Sequence, residues 1–144
     1  WLFDLDGTLA DVKHRRHFVT TKPKNWAAWN AAQPLDPVHE PVADLARALK
    51  ATGVAVVLVS GRGNDFREPT VEWLNRHNVP FDALFMRASK DHRADDIIKL
   101  ELLAEVEAAG WEPVAVVDDR PRVVRMWREH GLFVFDVNQS GEEF

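Results

Sequence analysis

The chain has 144 residues, 46% hydrophobic and 28% charged, with a net charge of −5 and no cysteine. That is one domain with room for a sizeable core but not for a second catalytic module; it excludes disulfides and thiolate zinc sites, and its acidity argues against a strong nonspecific duplex binder. No apolar run approaches the roughly 20 residues of a membrane span, and no basic-then-apolar leader opens the chain, so a cytoplasmic protein with no membrane partner is expected.

Residues Trp1 to Leu5 read as a buried β-strand that Gly7 ends, which puts Asp4 and Asp6 at a strand's carboxyl end. In an open α/β sheet ligands bind there. Two carboxylates this close repel and raise one pKa unless a cation or a shared proton lies between them. The chain starts inside this strand without Met, so a few residues are expected to precede Trp1.

Residues 10–38 read as an insertion with one short helix, of the kind that covers a neighbouring site as a small lid. It holds the basic cluster Lys13 to His17, then Trp26 and Trp29. His14 and His17 have a spacing that could serve a metal on a helix, but a solvated basic face is the commoner outcome. The two tryptophans could stack on a base, while packing the lid onto the domain is the commoner use.

From Glu40 to Thr52 apolar residues repeat at helical spacing and Gly53 closes the helix. Val54 to Val59 is a β-branched run typical of a strand buried on both faces, and it ends in Ser60-Gly61-Arg62. Those three are either an idle turn or a phosphate seat made of hydroxyl, backbone N–H and guanidinium. A helix from Asn64 or Asp65 to His77 leads to a short strand, Ala83 to Met86, and a basic loop, Arg87 to Arg93. A helix over Ala94 to Ala109 is expected to turn Ile97, Ile98, Leu102, Leu103 and Val106 inward, with Gly110 ending it. Asp95 and Lys99, four apart, could be an ordinary intrahelical ion pair. Val114 to Val117 is the fourth strand and ends in Asp118-Asp119; a helix from Pro121 to Gly131 and a strand, Leu132 to Phe135, follow. Alternating strands and helices predict an α/β, Rossmann-like, doubly wound, mostly parallel five-stranded sheet.

Asp4-Leu-Asp6-Gly-Thr8 resembles the first signature of the haloacid dehalogenase superfamily of phosphohydrolases. The clusters Asp4/Asp6/Thr8, Ser60/Arg62, Asp95/Lys99 and Asp118/Asp119 correspond, in order, to its four motifs across nearly the whole chain. Val59-Ser-Gly-Arg62, Asp95-Asp-Ile-Ile-Lys99, and Asp118-Asp-Arg120 followed by Val123 to Arg128 are similar to the phosphatase half of bacteriophage polynucleotide kinase-phosphatase. Two departures stand out. There is no Gly-x4-Gly-Lys-Ser/Thr loop, so the kinase half is not expected here, and the segment with Trp26 and Trp29 does not align.

The resemblance implies a magnesium-dependent phosphomonoesterase with Asp4 as nucleophile, Asp6 as general acid and base, and an aspartyl-phosphate intermediate. It implies Mg2+ held by the Asp4 carboxylate, the Asp6 carbonyl and Asp119, with Asp118 bonding a metal-bound water. Thr8, Ser60, Gly61 and Lys99 would hold phosphoryl oxygens, Asp95 would steady Lys99 or Arg62, and Arg15 and Arg62 would face the substrate. The implied reaction is removal of 3'-phosphates from polynucleotide ends, with a separate kinase or ligase as a possible partner. Alternatives are a phosphatase of small monophosphates such as 5'-nucleotides, a receiver-type phospho-acceptor domain, and a noncatalytic nucleic-acid module. Arg15, Arg16, Arg87, Lys90 and Arg93 are expected to form a cationic rim around the strand ends.

Overall fold

The computed structural model describes residues 1–142. Strand β1 (Leu2–Phe3) leads into a segment with two short helices, α1 (His17–Thr20) and α2 (Trp26–Ala31), and 3-10 turns at Lys13–Arg15 and Gln33–Leu35. Then come α3 (Glu40–Ala51), β2 (Val57–Gly63), a 3-10 turn at Asn64–Phe66, α4 (Arg67–Arg76), β3 (Ala83–Arg87), α5 (Asp95–Ala108), β4 (Ala115–Asp118), α6 (Pro121–Glu129) and β5 (Phe133–Asp136). All pairings are parallel, in the order β3-β2-β1-β4-β5.

Alternation along each strand sorts the core into two layers. Phe3, Leu58 and Val117 face Ala43 and Ala46 of α3 and Trp73 and Leu74 of α4. Leu2, Val57, Val59 and Val116 face Ile98, Leu102 and Val106 of α5 and Val123 and Trp127 of α6. Trp73 is fully buried and its indole N–H donates to the Asp36 carbonyl at 2.8 Å, so truncating it to alanine would cost about 3–5 kcal/mol.

β1 is shorter than the apolar run suggests. The Asp4 N–H still bonds Val117 O, but Leu5 O already accepts turn bonds from Thr8 and Ala10, so the chain leaves the sheet at Asp4. β2 is displaced the other way: it starts at Val57 and carries Ser60, Gly61 and Arg62 within it, because β3 pairs as far as Gly63 with a bulge after Ser60. Ile97 is 46% exposed rather than inward, since at about 100° per residue it falls outside the arc of α5 that Ile98, Lys99, Leu102, Leu103 and Val106 bury. Ala10 bridges antiparallel to Val38, so the intervening insertion leaves and returns at one place beside β1. From β1 the chain builds β2 and β3 on one side, then crosses back to β4 on the other. The crevice at this reversal lies between the carboxyl ends of β1 and β4.

Candidate active site

Asp4 follows β1 and Asp118 ends β4, so neighbouring strands deliver both acids to the crevice. Lys99, on the second turn of α5, points into it and is 1% exposed. Its ammonium donates to Asp4 Oδ1 at 2.6 Å and Asp118 Oδ2 at 3.0 Å, with Asp95 Oδ2 at 3.8 Å. Asp95 is therefore the distant partner of the three, and the intrahelical pair is secondary. Burial works against the lysine's charge, but Asp118, Asp4 and Asp95 hold its pKa well above the usual lysine range. The Thr8 hydroxyl, wholly buried, lies 3.1 Å from both Asp4 Oδ2 and Asp119 Oδ1.

Asp118 is bonded at both oxygens. Oδ2 accepts from Lys99 and, at 3.0 Å, from the Trp127 indole; Oδ1 accepts from the backbone N–H groups of Asp119 and Arg120 at 2.8 and 3.3 Å. The acid therefore fixes Lys99 and the start of α6. Gly7 turns the loop with φ +87, and a Cβ there would lie 2.1 Å from Asp119 Oδ2. Only glycine leaves room for that carboxylate.

Arg15 and Arg62 face inward. Arg15 is 0% exposed and Arg62 5%, and both donate to Asp6 Oδ1: Arg15 Nη2 at 2.7 Å, Arg62 Nε and Nη2 at 3.0 and 2.7 Å. Burial pushes the Asp6 carboxyl up, but Arg62 and Arg15 outweigh it and hold the pKa below the usual carboxylate value. All three hydrogen bonds fall on Oδ1, leaving Oδ2 for a ligand. Beneath them lies Asp36, which the sequence did not single out. Its Oδ1 accepts from Arg15 Nε at 2.8 Å and lies 2.6 Å from His14 Nε2; its Oδ2 accepts from Arg15 Nη2 at 2.7 Å and Arg62 Nη2 at 3.3 Å. His14 thus belongs to this network and not to a metal pair with His17, whose ring packs on Phe18.

Ser60 Oγ accepts from the Arg62 N–H at 3.1 Å, so it shapes the end of β2. Asp95 lies over Gly61, where a Cβ would come within 2.1 Å of its Oδ1, and its cationic partners besides Lys99 are Arg87 at 3.2 Å and Arg120 at 3.5 Å, with no ion pair to Arg62. The expected cationic rim is largely spent on internal contacts. Arg15 is buried, Arg87 donates to Gly61 O at 2.7 Å, Arg93 pairs with Asp91 and Glu101, and Arg16 pairs with Glu142 at 3.3 Å.

Residues 1–142 match the family model described as the polynucleotide kinase PNKP phosphatase domain. The chain belongs to that family. It is 36% identical over 145 residues to a protein of Autographa californica nuclear polyhedrosis virus named "Putative bifunctional polynucleotide kinase/RNA ligase", covering 99% of this chain and 20% of the viral one. A solved chain of the Pnkp1/Rnl/Hen1 RNA repair complex is 37% identical with TM-score 0.81, covering 94% of this chain and 41% of that one. A hydrolase from Streptococcus pneumoniae TIGR4, 20% identical with TM-score 0.62 over 93% of this chain and 89% of its own, shares the fold. The chain thus spans about a fifth of the viral relative and two fifths of the RNA repair chain. It is a phosphatase of the haloacid dehalogenase type, which removes the receiver and noncatalytic readings.

In this phosphatase the acidic cluster fits a metal. Asp4, Asp118 and Asp119 are buried, with one oxygen of each within 4.8 Å of the others. Three carboxylates face one ammonium, and a small dication would balance the excess. Without one, protons do so: burial and Asp118 push Asp4 well up against the pull of Lys99, and push Asp119 up to about 6. With Asp118 committed to Lys99, Trp127 and the backbone, Asp4 and Asp119 are the carboxylates with capacity for an ion. No helix among the described residues is long and apolar enough to cross a membrane.

Proposed function

We propose that this domain is a magnesium-dependent polynucleotide 3'-phosphatase acting through an aspartyl-phosphate on Asp4. The observation that carries the chemistry is the Asp4 carboxylate, fixed at the sheet's reversal point by Lys99 on one oxygen and Thr8 on the other. A rigid, correctly aimed carboxylate is what nucleophilic attack on phosphorus requires. Asp4 and Asp119, with the Asp6 carbonyl, would hold the Mg2+, which keeps Asp4 ionised beside an incoming phosphate and offsets the phosphate's charge. Lys99 and Thr8 are placed to meet the transferring oxygens.

Asp6 is the proton carrier. Held low by Arg62 and Arg15, it starts ionised, which suits it to take a proton from the water that cleaves the acyl-phosphate. Approach of the phosphate's negative charge raises its pKa, so it takes up a proton from solvent as the substrate binds and gives it to the leaving oxygen in the first step. The arginines and Asp36 hold Oδ1 and leave Oδ2 to make both transfers.

Polynucleotide ends are supported as substrate by the family match and by the names of the relatives, which speak of polynucleotide kinase, RNA ligase and RNA repair. The same names support a kinase or ligase working beside this domain. Phosphate release from 3'-phosphorylated oligonucleotides, 5'-phosphorylated oligonucleotides and 5'-nucleoside monophosphates tests the reading. Preference for the 3' end is expected, and faster release from 5'-nucleotides would overturn it.

A further inference from the structure

Of the 18 Lys and Arg residues, five lie between Val12 and Leu35, a stretch with none of the 23 Asp and Glu. Arg15 is buried and Arg16 pairs with Glu142, which leaves Lys13, Lys22 and Lys24 exposed, with no acid in ion-pair distance among the described residues. On this basic surface Trp26 is 55% exposed, and Lys24 Nζ lies 5.6 Å over its ring. Trp29, one turn further along α2, stacks on Arg15 with the guanidinium carbon 4.0 Å from the ring centroid. That arginine holds Asp6. The two indoles on α2 are thus one step apart, about 5–6 Å between Cβ atoms. The inner one braces the catalytic network and the outer one stands in solvent.

Packing explains Trp29 and leaves Trp26 without a role. A flat aromatic face among lysines without acidic partners, on an otherwise acidic chain, is complementary to a single nucleic-acid strand, whose bases stack while its phosphates take the charge. We propose that α2 and the turn before it form a platform for the single-stranded end of the substrate, with Trp26 stacking a base near the 3' terminus and Lys22 and Lys24 contacting the adjoining phosphates. This rests on the polynucleotide reading above and adds which surface the strand follows. It also implies that unpaired ends are preferred, since bases stacked within a duplex hide their faces.

The test compares kcat/KM for a 3'-phosphorylated single-stranded decanucleotide with that for a nucleoside 3'-monophosphate. Trp26→Ala should lower this ratio about tenfold through KM, and Trp26→Phe should keep most of it. Lys22→Gln with Lys24→Gln should reduce the slope of log KM against log salt by about 1.4. Binding of a fluorescent decanucleotide without a 3'-phosphate reads the platform apart from the chemistry. Its Kd should rise about tenfold in Trp26→Ala. An unchanged Kd and an unchanged ratio overturn the platform even if 3'-phosphates are removed well. Wild-type failure on every 3'-phosphorylated oligonucleotide overturns the proposed reaction, and the binding measurement still decides the platform.

Discussion

Asp36 and Arg15 form a bidentate ion pair with both side chains at zero exposure, Nε to Oδ1 at 2.8 Å and Nη2 to Oδ2 at 2.7 Å. Removing one partner strands a buried charge, so Asp36→Ala should cost about 3–5 kcal/mol of stability. Urea unfolding of Asp36→Ala, Arg15→Ala and the double variant should show coupling of at least about 1 kcal/mol. Additive losses would mean that the pair does not act as a unit. Activity should fall with stability held constant, because the clamp on Asp6 loosens.

Asp4→Asn should lower turnover by at least about 10³, since it removes the proposed nucleophile. It should not lower the melting temperature of metal-free protein at neutral pH, because burial and Asp118 already oppose a charge on Asp4 and the amide carries none. A large drop in melting temperature would show that Asp4 is held for structure.

The acidic cluster sets a pH dependence. Asp4 and Asp119 have raised pKa values when folded, Asp119 up to about 6. The folded chain therefore binds more protons than the unfolded one between about pH 4 and pH 6, and metal-free stability should fall as pH rises through that window. Asp6, held low, works the other way and costs stability only as pH drops through its own lower value. Magnesium at the proposed site would have to displace those protons, so its rise in melting temperature should be larger at about pH 7 than at about pH 5. Equal shifts would place the ion elsewhere.

Gly7→Ala tests the loop. The positive φ alone costs about 1–2 kcal/mol, and the new methyl would press on the Asp119 carboxylate. Activity should therefore fall more than stability, with a weaker magnesium dependence of the melting temperature. Normal activity would show that Asp119 has room to move.

Periodicity was enough to find the five strands and the four long helices, because each has one or two apolar faces that a core must cover. Strand limits were less legible, since they depend on partners: β1 ends where Leu5 takes up turn bonds, and β2 runs on because β3 accompanies it. Ile97 misled because the inward arc of α5 runs through Ile98, Leu102, Leu103 and Val106 and also takes in Lys99, a charged residue that no hydrophobic pattern would put inside, which leaves Ile97 on the outer side. Asp36 was invisible for a different reason. It sits in an irregular stretch with no motif, and its importance arises from Arg15 and Arg62, which are 21 and 26 residues away. Arg15 and Arg62 were legible as residues near the chemistry, but that they grip Asp6 is a matter of rotamers.

The strand order has a consequence for how the molecule comes into being. β2 and β3 are neighbours in sequence as well as in space, so their unit can close early. Leu2 meets Val116 only after most of the chain has been drawn into a loop, and Asp4 meets Asp118 and Lys99 only then. A chain emerging from the ribosome therefore carries Asp4 and Asp6 long before it has anything for them to bind. Like charges resist that last closure, and the proposed dication would favour it, so magnesium should slow unfolding more than it speeds folding.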